Sequence, residues 1–213
     1  KFEKFIKKTI SFKMINNQFY QQFHHYLINE KKLLNNTIGK QIKELKVFLN
    51  YAMRNELTEM KYNFKDFKTI KEDVDIISLT EEELFRLYEC KDLNKQQAIA
   101  RDYVCFECFT GLRFSDIARL RNENIKEDFI ELRTQKTKDV LFVPLNVFVK
   151  EILTKYKGMY SDTPLPPPYT NQKTNEYIKE AARIAGINDL IMVEKFSGVN
   201  RKAITKPKYA FVC

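Results

Sequence analysis

Residues 110–120 read TGLRFSDIARL. The Thr110-Gly111 pair interrupts a long apolar pattern, because glycine readily ends a helix in a left-handed turn. A short helix is predicted next, near 115–120. Arg113 is thereby left on the connection between two helices, and Asp116 falls early in the second, where a carboxylate suits the helix N-terminus. Working back, 95–109 reads as a long helix with Ala98, Tyr103, Val104, Phe106 and Cys108 among its buried positions. Before it, Thr80 and Glu83 have capping-box spacing ahead of an apolar run. Working forward, 128–134 (DFIELRT) alternates and 139–143 (DVLFV) is β-prone. The polar QKTK between them predicts a hairpin turn, and Pro144 closes the second strand. Asn146 caps a helix over 147–157, and PLPPP at 164–168 is an extended loop. Thr170 or Asn171 caps a last helix running to Ala185, which Gly186 stops. The tail from 189 holds two apolar stretches, LIMV and YAFV, separated by a basic segment.

The first 77 residues have a different texture. Phe19, Tyr20, Phe23, Tyr26 and Leu27 recur at helical spacing over 17–29, capped by Asn16 or Asn17. A second helix is predicted over 37–54, burying Ile38, Ile42, Leu45, Leu49 and Ala52, with Val47 and Phe48 widening that face. One short helix before these and one after would complete a small all-helical module. Residues 55–78 are polar and aperiodic and read as a connection, with Phe64 and Phe67 against a surface. The expected domains are 1–77 and 78–213.

The chain has 213 residues, 44% of them apolar, and a net charge of +9. Collagen-like and Pro/Gly-rich disordered classes are excluded, and no apolar run approaches the ~20 residues of a membrane span. Four cysteines (Cys90, Cys105, Cys108, Cys213) do not make a disulfide framework. A soluble, reducing, cytoplasmic setting is expected. The charge is uneven: residues 1–50 carry ten lysines against Glu3, Glu30 and Glu44. Such a segment points to a polyanion, most commonly nucleic-acid phosphate, although an acidic protein or a membrane surface would also satisfy it.

Three segments together resemble the tyrosine recombinase (phage integrase) family, most closely integrases of the Bacteroides mobile-element type. TGLRFSDIARL resembles the first arginine box. LRTQKTKDVLFVPL resembles the β-hairpin that carries a lysine seven residues before the valine of Val143-Pro144-Leu145, which is Lys136. LNNTIGKQIKELKVFLNYA resembles the helical core-binding module. The resemblance implies a mainly α fold: an all-helical, SAM-like core-binding domain, then a mostly helical catalytic domain with a small antiparallel sheet. It implies DNA cleavage and rejoining through a 3′-phosphotyrosine, with no metal or other cofactor, by a homo-tetramer on double-stranded DNA. Arg113 would neutralise the scissile phosphate, for which a permanently charged planar fork suits better than an ammonium. Lys136 would protonate the leaving 5′-oxygen, with Lys138 as the near competitor. Asp116 would hold the guanidinium or a neighbouring donor. Thr37, Lys40, Lys43 and Lys46 are the expected DNA contacts, and Arg201, Lys202, Lys206 and Lys208 form a second basic cluster.

The family continues into a His-x-x-Arg box and a tyrosine nucleophile. Here the only histidines are His24 and His25, far upstream, and no His-x-x-Arg follows Lys136. These 213 residues are therefore not expected to complete the reaction, and none of the eleven tyrosines is a nucleophile candidate by position. Cys105-x-x-Cys108 falls inside an apolar helix and reads as core rather than as a metal or redox pair. Two other readings remain: a DNA-binding accessory protein without catalysis, and a helical protein-interaction domain with acidic partners.

Overall fold

The computed structural model describes residues 1–59, 61–63 and 67–212. Phe64 and Cys213 lie outside the described residues. The fold is mainly α, with two small antiparallel sheets. The chain divides into two compact units. The first comprises Lys1–Ile76 together with Met192–Thr205, and the second comprises Ile77–Ile191 with Lys206–Cys213.

In the first unit, α1 (Phe2–Ile6) and α2 (Asn17–His25) precede α3 (Asn35–Arg54). Asn16 caps α2 by accepting from the Phe19 N–H at 3.0 Å, and α2 widens at its end into a π turn, Tyr26–Glu30. Phe2 sits at the centre of an aromatic cluster, with ring centroids 5.6 Å from Phe19, 5.0 Å from Phe23 and 5.1 Å from Tyr26. Ile38, Ile42, Leu49 and Ala52 of α3 are fully buried, each large side chain contributing about 1.5–3 kcal/mol by leaving water. Val47 and Phe48 do not widen this stripe, since they are 61% and 53% exposed. At about 100° per residue, Val47 points away from the line joining Ile38, Ile42 and Leu49.

No helix follows α3 before Glu81 among the described residues. Instead residues 67–72 lie as a strap against α2 and α3. Phe67 is buried and stacks on Tyr20 at 5.0 Å, and the Tyr20 hydroxyl donates to the Lys68 carbonyl. The Asn36 side chain bonds both the N–H and the carbonyl of Glu72, at 2.8 and 2.9 Å. Gly39 permits the close approach: a Cβ there would lie 2.0 Å from the Ile70 carbonyl oxygen. The segment reads as aperiodic because side-chain anchors, not a repeating face, hold it.

His24 adds a titratable weakness. Its Nε2 is buried without a partner, and burial pushes its pKa below the usual 6.5. In that window the unfolded chain binds the proton that the folded unit does not, so stability rises with pH and is lost as pH falls through about 6.5. Urea melts of the wild type and His24→Phe at pH 7.5 and 5.5 are expected to show this loss only in the wild type.

The second unit is organised by α5 (Lys95–Thr110), which buries Ile99, Ala100, Tyr103, Val104, Cys105 and Phe106. Around it pack α4 (Glu81–Glu89), α7 (Val147–Tyr156) and α8 (Asn171–Ile184). The capping boxes Thr80/Glu83 and Asn94/Gln97 start α4 and α5. Cys105 is core, but Cys108 is exposed. No group of metal-ligating residues occurs among the described residues, and no described helix is long and apolar enough to cross a membrane. β1 (Phe129–Arg133) pairs antiparallel with β2 (Val140–Pro144), from Phe129↔Pro144 to Arg133↔Val140.

The tail differs most from a simple reading of its sequence. β3 (Leu190–Ser197) and β4 (Asn200–Pro207) form a hairpin across the Gly198-Val199 turn. Gly198 takes φ +60°, a conformation that glycine adopts without penalty.

Candidate active site and DNA-binding face

The first-box segment is built around a helix end. Gly111 caps α5 at φ +68°, its N–H donating to the Glu107 carbonyl at 2.7 Å. The Thr110 hydroxyl donates to the Phe106 carbonyl at 2.6 Å, and Leu112 plugs into the core. Arg113 follows in extended backbone as the N-cap of α6 (Phe114–Ile117). Its carbonyl accepts from Asp116 and Ile117 N–H at 2.8 and 3.1 Å. The backbone is thus fixed while the guanidinium is exposed and forms no ion pair among the described residues.

Asp116 is buried, and its Oδ1 accepts from the Gln135 N–H at 2.8 Å. Gln135 immediately precedes Lys136, so this bond ties the Arg113 turn to the lysine-bearing hairpin. The carboxylate holds a neighbouring donor rather than the guanidinium itself. Inside the turn, Thr134 N–H donates to the Asp139 carbonyl at 2.9 Å, and the Thr134 and Thr137 hydroxyls are bonded to each other. Lys136 is exposed. Lys138 sits at φ +65° with its carbonyl held by Arg133 at 3.0 Å. Arg113, Asp116 and Lys136 therefore stand on neighbouring segments with two cations free and the acid committed. A cavity of about 350 Å³ lies on the Asp116 side, lined by Asp116, Arg119, Arg121, Glu123, Arg133 and Thr163, and neither Arg113 nor Lys136 lines it.

Three contributors leave no signal in the sequence. Thr134 and Gln135 look like ordinary polar turn residues, and nothing local marks them as the anchor. Glu107 is the third. Burial raises its carboxyl pKa, opposed by the Phe114 N–H at the start of α6.

In the first unit, α3 starts two residues before the predicted 37, so Thr37 is its third residue. Thr37, Lys40 and Lys43 are exposed and Lys46 is half-buried. Steps of three residues turn each position back by about 60°, so the four spread across an arc rather than one stripe. Lys40 pairs loosely with Glu44 at 3.9 Å, an exposed pair worth about 0.3–0.5 kcal/mol. Lys43 and Lys46 form no ion pair among the described residues. Of the second basic cluster, Lys208 is buried against Glu83 at 2.6 Å and is no surface contact.

Residues 1–69 match the phage integrase SAM-like domain family. The fold as a whole is similar to that of a lambda integrase dimer bound to a core site. The TM-score is 0.66 at 16% identity, over 88% of this chain and 70% of that one. The chain has the fold of a tyrosine recombinase. A lambda integrase tetramer bound to a Holliday junction matches with TM-score 0.66 at 17% identity, over 88% of this chain but only 57% of that subunit. The Tn1549 transposon integrase in complex with circular intermediate DNA matches with TM-score 0.54 at 15% identity, over 80% of this chain and 65% of that one. No curated protein matches in sequence. The tyrosine recombinase architecture accounts for both halves of the molecule: a helical SAM-like module, and a helical unit built on α5 that carries the lysine hairpin.

Proposed function

We propose that this chain supplies the core-binding module and the leading part of the catalytic domain of a site-specific DNA recombinase, an integrase acting through a 3′-phosphotyrosine. The observation that carries this reading is the Asp116–Gln135 bond, which joins the segment of one exposed guanidinium to that of one exposed ammonium. In the reaction a tyrosine oxygen bonds to phosphorus and the bond to the 5′-oxygen breaks. Charge grows on the two non-bridging oxygens and on the leaving oxygen. Arg113 acts on the former as a hydrogen-bonding fork, and Lys136 gives its proton to the latter. Asp116 is the positioning residue for Lys136. The tyrosine and the base that takes its proton are not assigned among these 213 residues. Assembly as a homo-tetramer on two duplexes belongs to the same proposal.

In the full-length protein, Arg113→Ala is expected to slow covalent-complex formation on a nicked suicide substrate by about 10²–10³-fold, with DNA affinity kept. Undiminished complex formation would remove Arg113 from the mechanism. For the binding half, Lys43→Ala and Lys46→Ala are each expected to reduce affinity for any duplex sequence. Each should also flatten the dependence of log affinity on log salt by about 0.9. An unaltered slope in both variants would dismiss this face of α3.

A further inference from the structure

We propose that the Met192–Thr205 part of the β3–β4 hairpin, more than a hundred residues downstream of the SAM-like sequence, is a built-in part of the first unit's DNA-binding surface. It docks through its tip and presents the cross-strand pair Lys195 and Lys202 to duplex phosphate. The inference deepens the DNA-binding reading and rests on it.

The docking is specific. The Asn35 side chain, only 3% exposed at the start of α3, engages both backbone groups of Gly198. Its Oδ1 accepts the Gly198 N–H at 2.6 Å and its Nδ2 donates to the Gly198 carbonyl at 2.9 Å. The Ser197 hydroxyl donates to the Leu33 carbonyl at 2.8 Å. A Cβ on Gly198 would meet Ile28 Cδ1 at 3.2 Å, besides being strained at φ +60°. A side-chain amide that satisfies both polar groups of one peptide unit fixes the tip in place, much as a strand neighbour would.

The charge on the docked hairpin is sorted by face. The two-residue turn places Ser197 opposite Asn200. The bond from Lys208 N–H to the Asp189 carbonyl at the other end keeps the same register. Lys195 therefore stands directly across from Lys202. Both are exposed, while Val193, the next residue on that face, is buried. The hairpin's one acid, Glu194, is on the opposite face, where it pairs with Arg201. Two like charges facing each other across strands weaken a hairpin, and no carboxylate of the described residues pairs with either lysine. An arrangement that is unfavourable in the free chain becomes favourable against a row of phosphates, where each ammonium releases a counterion. Of the four downstream cations in the basic cluster, the fold thus commits Lys208 and Arg201 to acids; of the two left free, Lys202 lies in the first unit and Lys206 in the second, and Lys195 joins Lys202.

The test is salt-dependent binding of the full 213-residue chain to a duplex oligonucleotide of arbitrary sequence. The double variant Lys195→Gln/Lys202→Gln is expected to lower the magnitude of the log affinity–log salt slope by about 2. Its melting temperature should be equal or higher, since a repulsion is removed. Glu194→Gln/Arg201→Gln, on the other face and neutral in net charge, is expected to leave the slope unchanged. Asn35→Ala is expected to weaken binding and to raise amide exchange at 192–205 while exchange within α5 stays as it was. A wild-type slope in the double lysine variant overturns the hairpin surface and leaves DNA binding by α3 intact. Absence of wild-type binding even at low salt overturns the DNA-binding reading itself.

Discussion

Asp102→Ala is expected to lower the stability of the second unit by about 3–5 kcal/mol and its melting temperature by on the order of 10 °C. Asp102 lies on α5 and is 2% exposed. One oxygen takes the Nε and Nη2 of Arg101 at 2.9 and 2.7 Å, and the other takes Lys155 Nζ at 2.5 Å and the Tyr156 hydroxyl at 2.6 Å. Arg101 in turn holds the Cys90 carbonyl. The carboxylate therefore joins α5, the end of α4 and the last turn of α7. Removing it strands a guanidinium whose side chain is 12% exposed, together with a buried hydroxyl. Lys155 is 45% exposed and can return to water, so its share of the loss is small. Tyr156→Phe removes one neutral donor only and is expected to cost about 1 kcal/mol. Denaturant melts of both variants decide the matter: a loss below 1 kcal/mol for Asp102→Ala would show that the network carries no net stability.

Lys208→Met is expected to cost about 3–5 kcal/mol at pH 7, because it leaves the buried Glu83 carboxylate alone. Burial by itself would raise the Glu83 carboxyl. The Lys208 ammonium and the Thr80 N–H outweigh it and hold the pKa below its usual 4.5. The folded pKa is thus depressed, so the pair's contribution is present above about pH 4.5 and is lost as pH falls through the folded value. The gap between wild type and variant should accordingly narrow in acid. Glu83→Gln/Lys208→Met keeps an acceptor for the Thr80 cap and is expected to regain most of the loss. A double variant no better than the single one would place the damage in packing instead. The position matters because Lys208 opens the 3-10 turn Lys208–Phe211, which brings the chain back from the hairpin into the second unit. Tyr209 N–H donates there to the Ile187 carbonyl, and Val212 is buried.

Both residues show how sequence legibility depends on the range of the interaction. Thr80 with Glu83 is a local pattern, and it starts α4 where its spacing says. Glu83's second partner is 125 residues away, so the same carboxylate reads as a cap and not as half of a buried pair. Lys208 likewise reads as one more cation in a basic tail. The Arg113, Asp116 and Lys136 positions were legible as motif residues. That Asp116 grips the backbone of Gln135 was not, since a backbone N–H leaves no mark in a sequence.

What the sequence determined by itself was therefore what short-range periodicity carries: the longer helices of both units, the caps at Asn16, Thr80, Asn146 and Thr170, the β1–β2 pairing and the mainly α class. A repeating apolar face and a cap are local free-energy preferences, and they survive whatever surrounds them. The tertiary structure alone decided three things: that residues 67–72 are strapped to α3, that Val47 and Phe48 stay in water, and that the tail's first apolar stretch pairs with the basic segment after it as a hairpin docked on Asn35. Each depends on which surface happens to meet which across long stretches of chain, and that is settled by packing and by the pairing of buried polar groups.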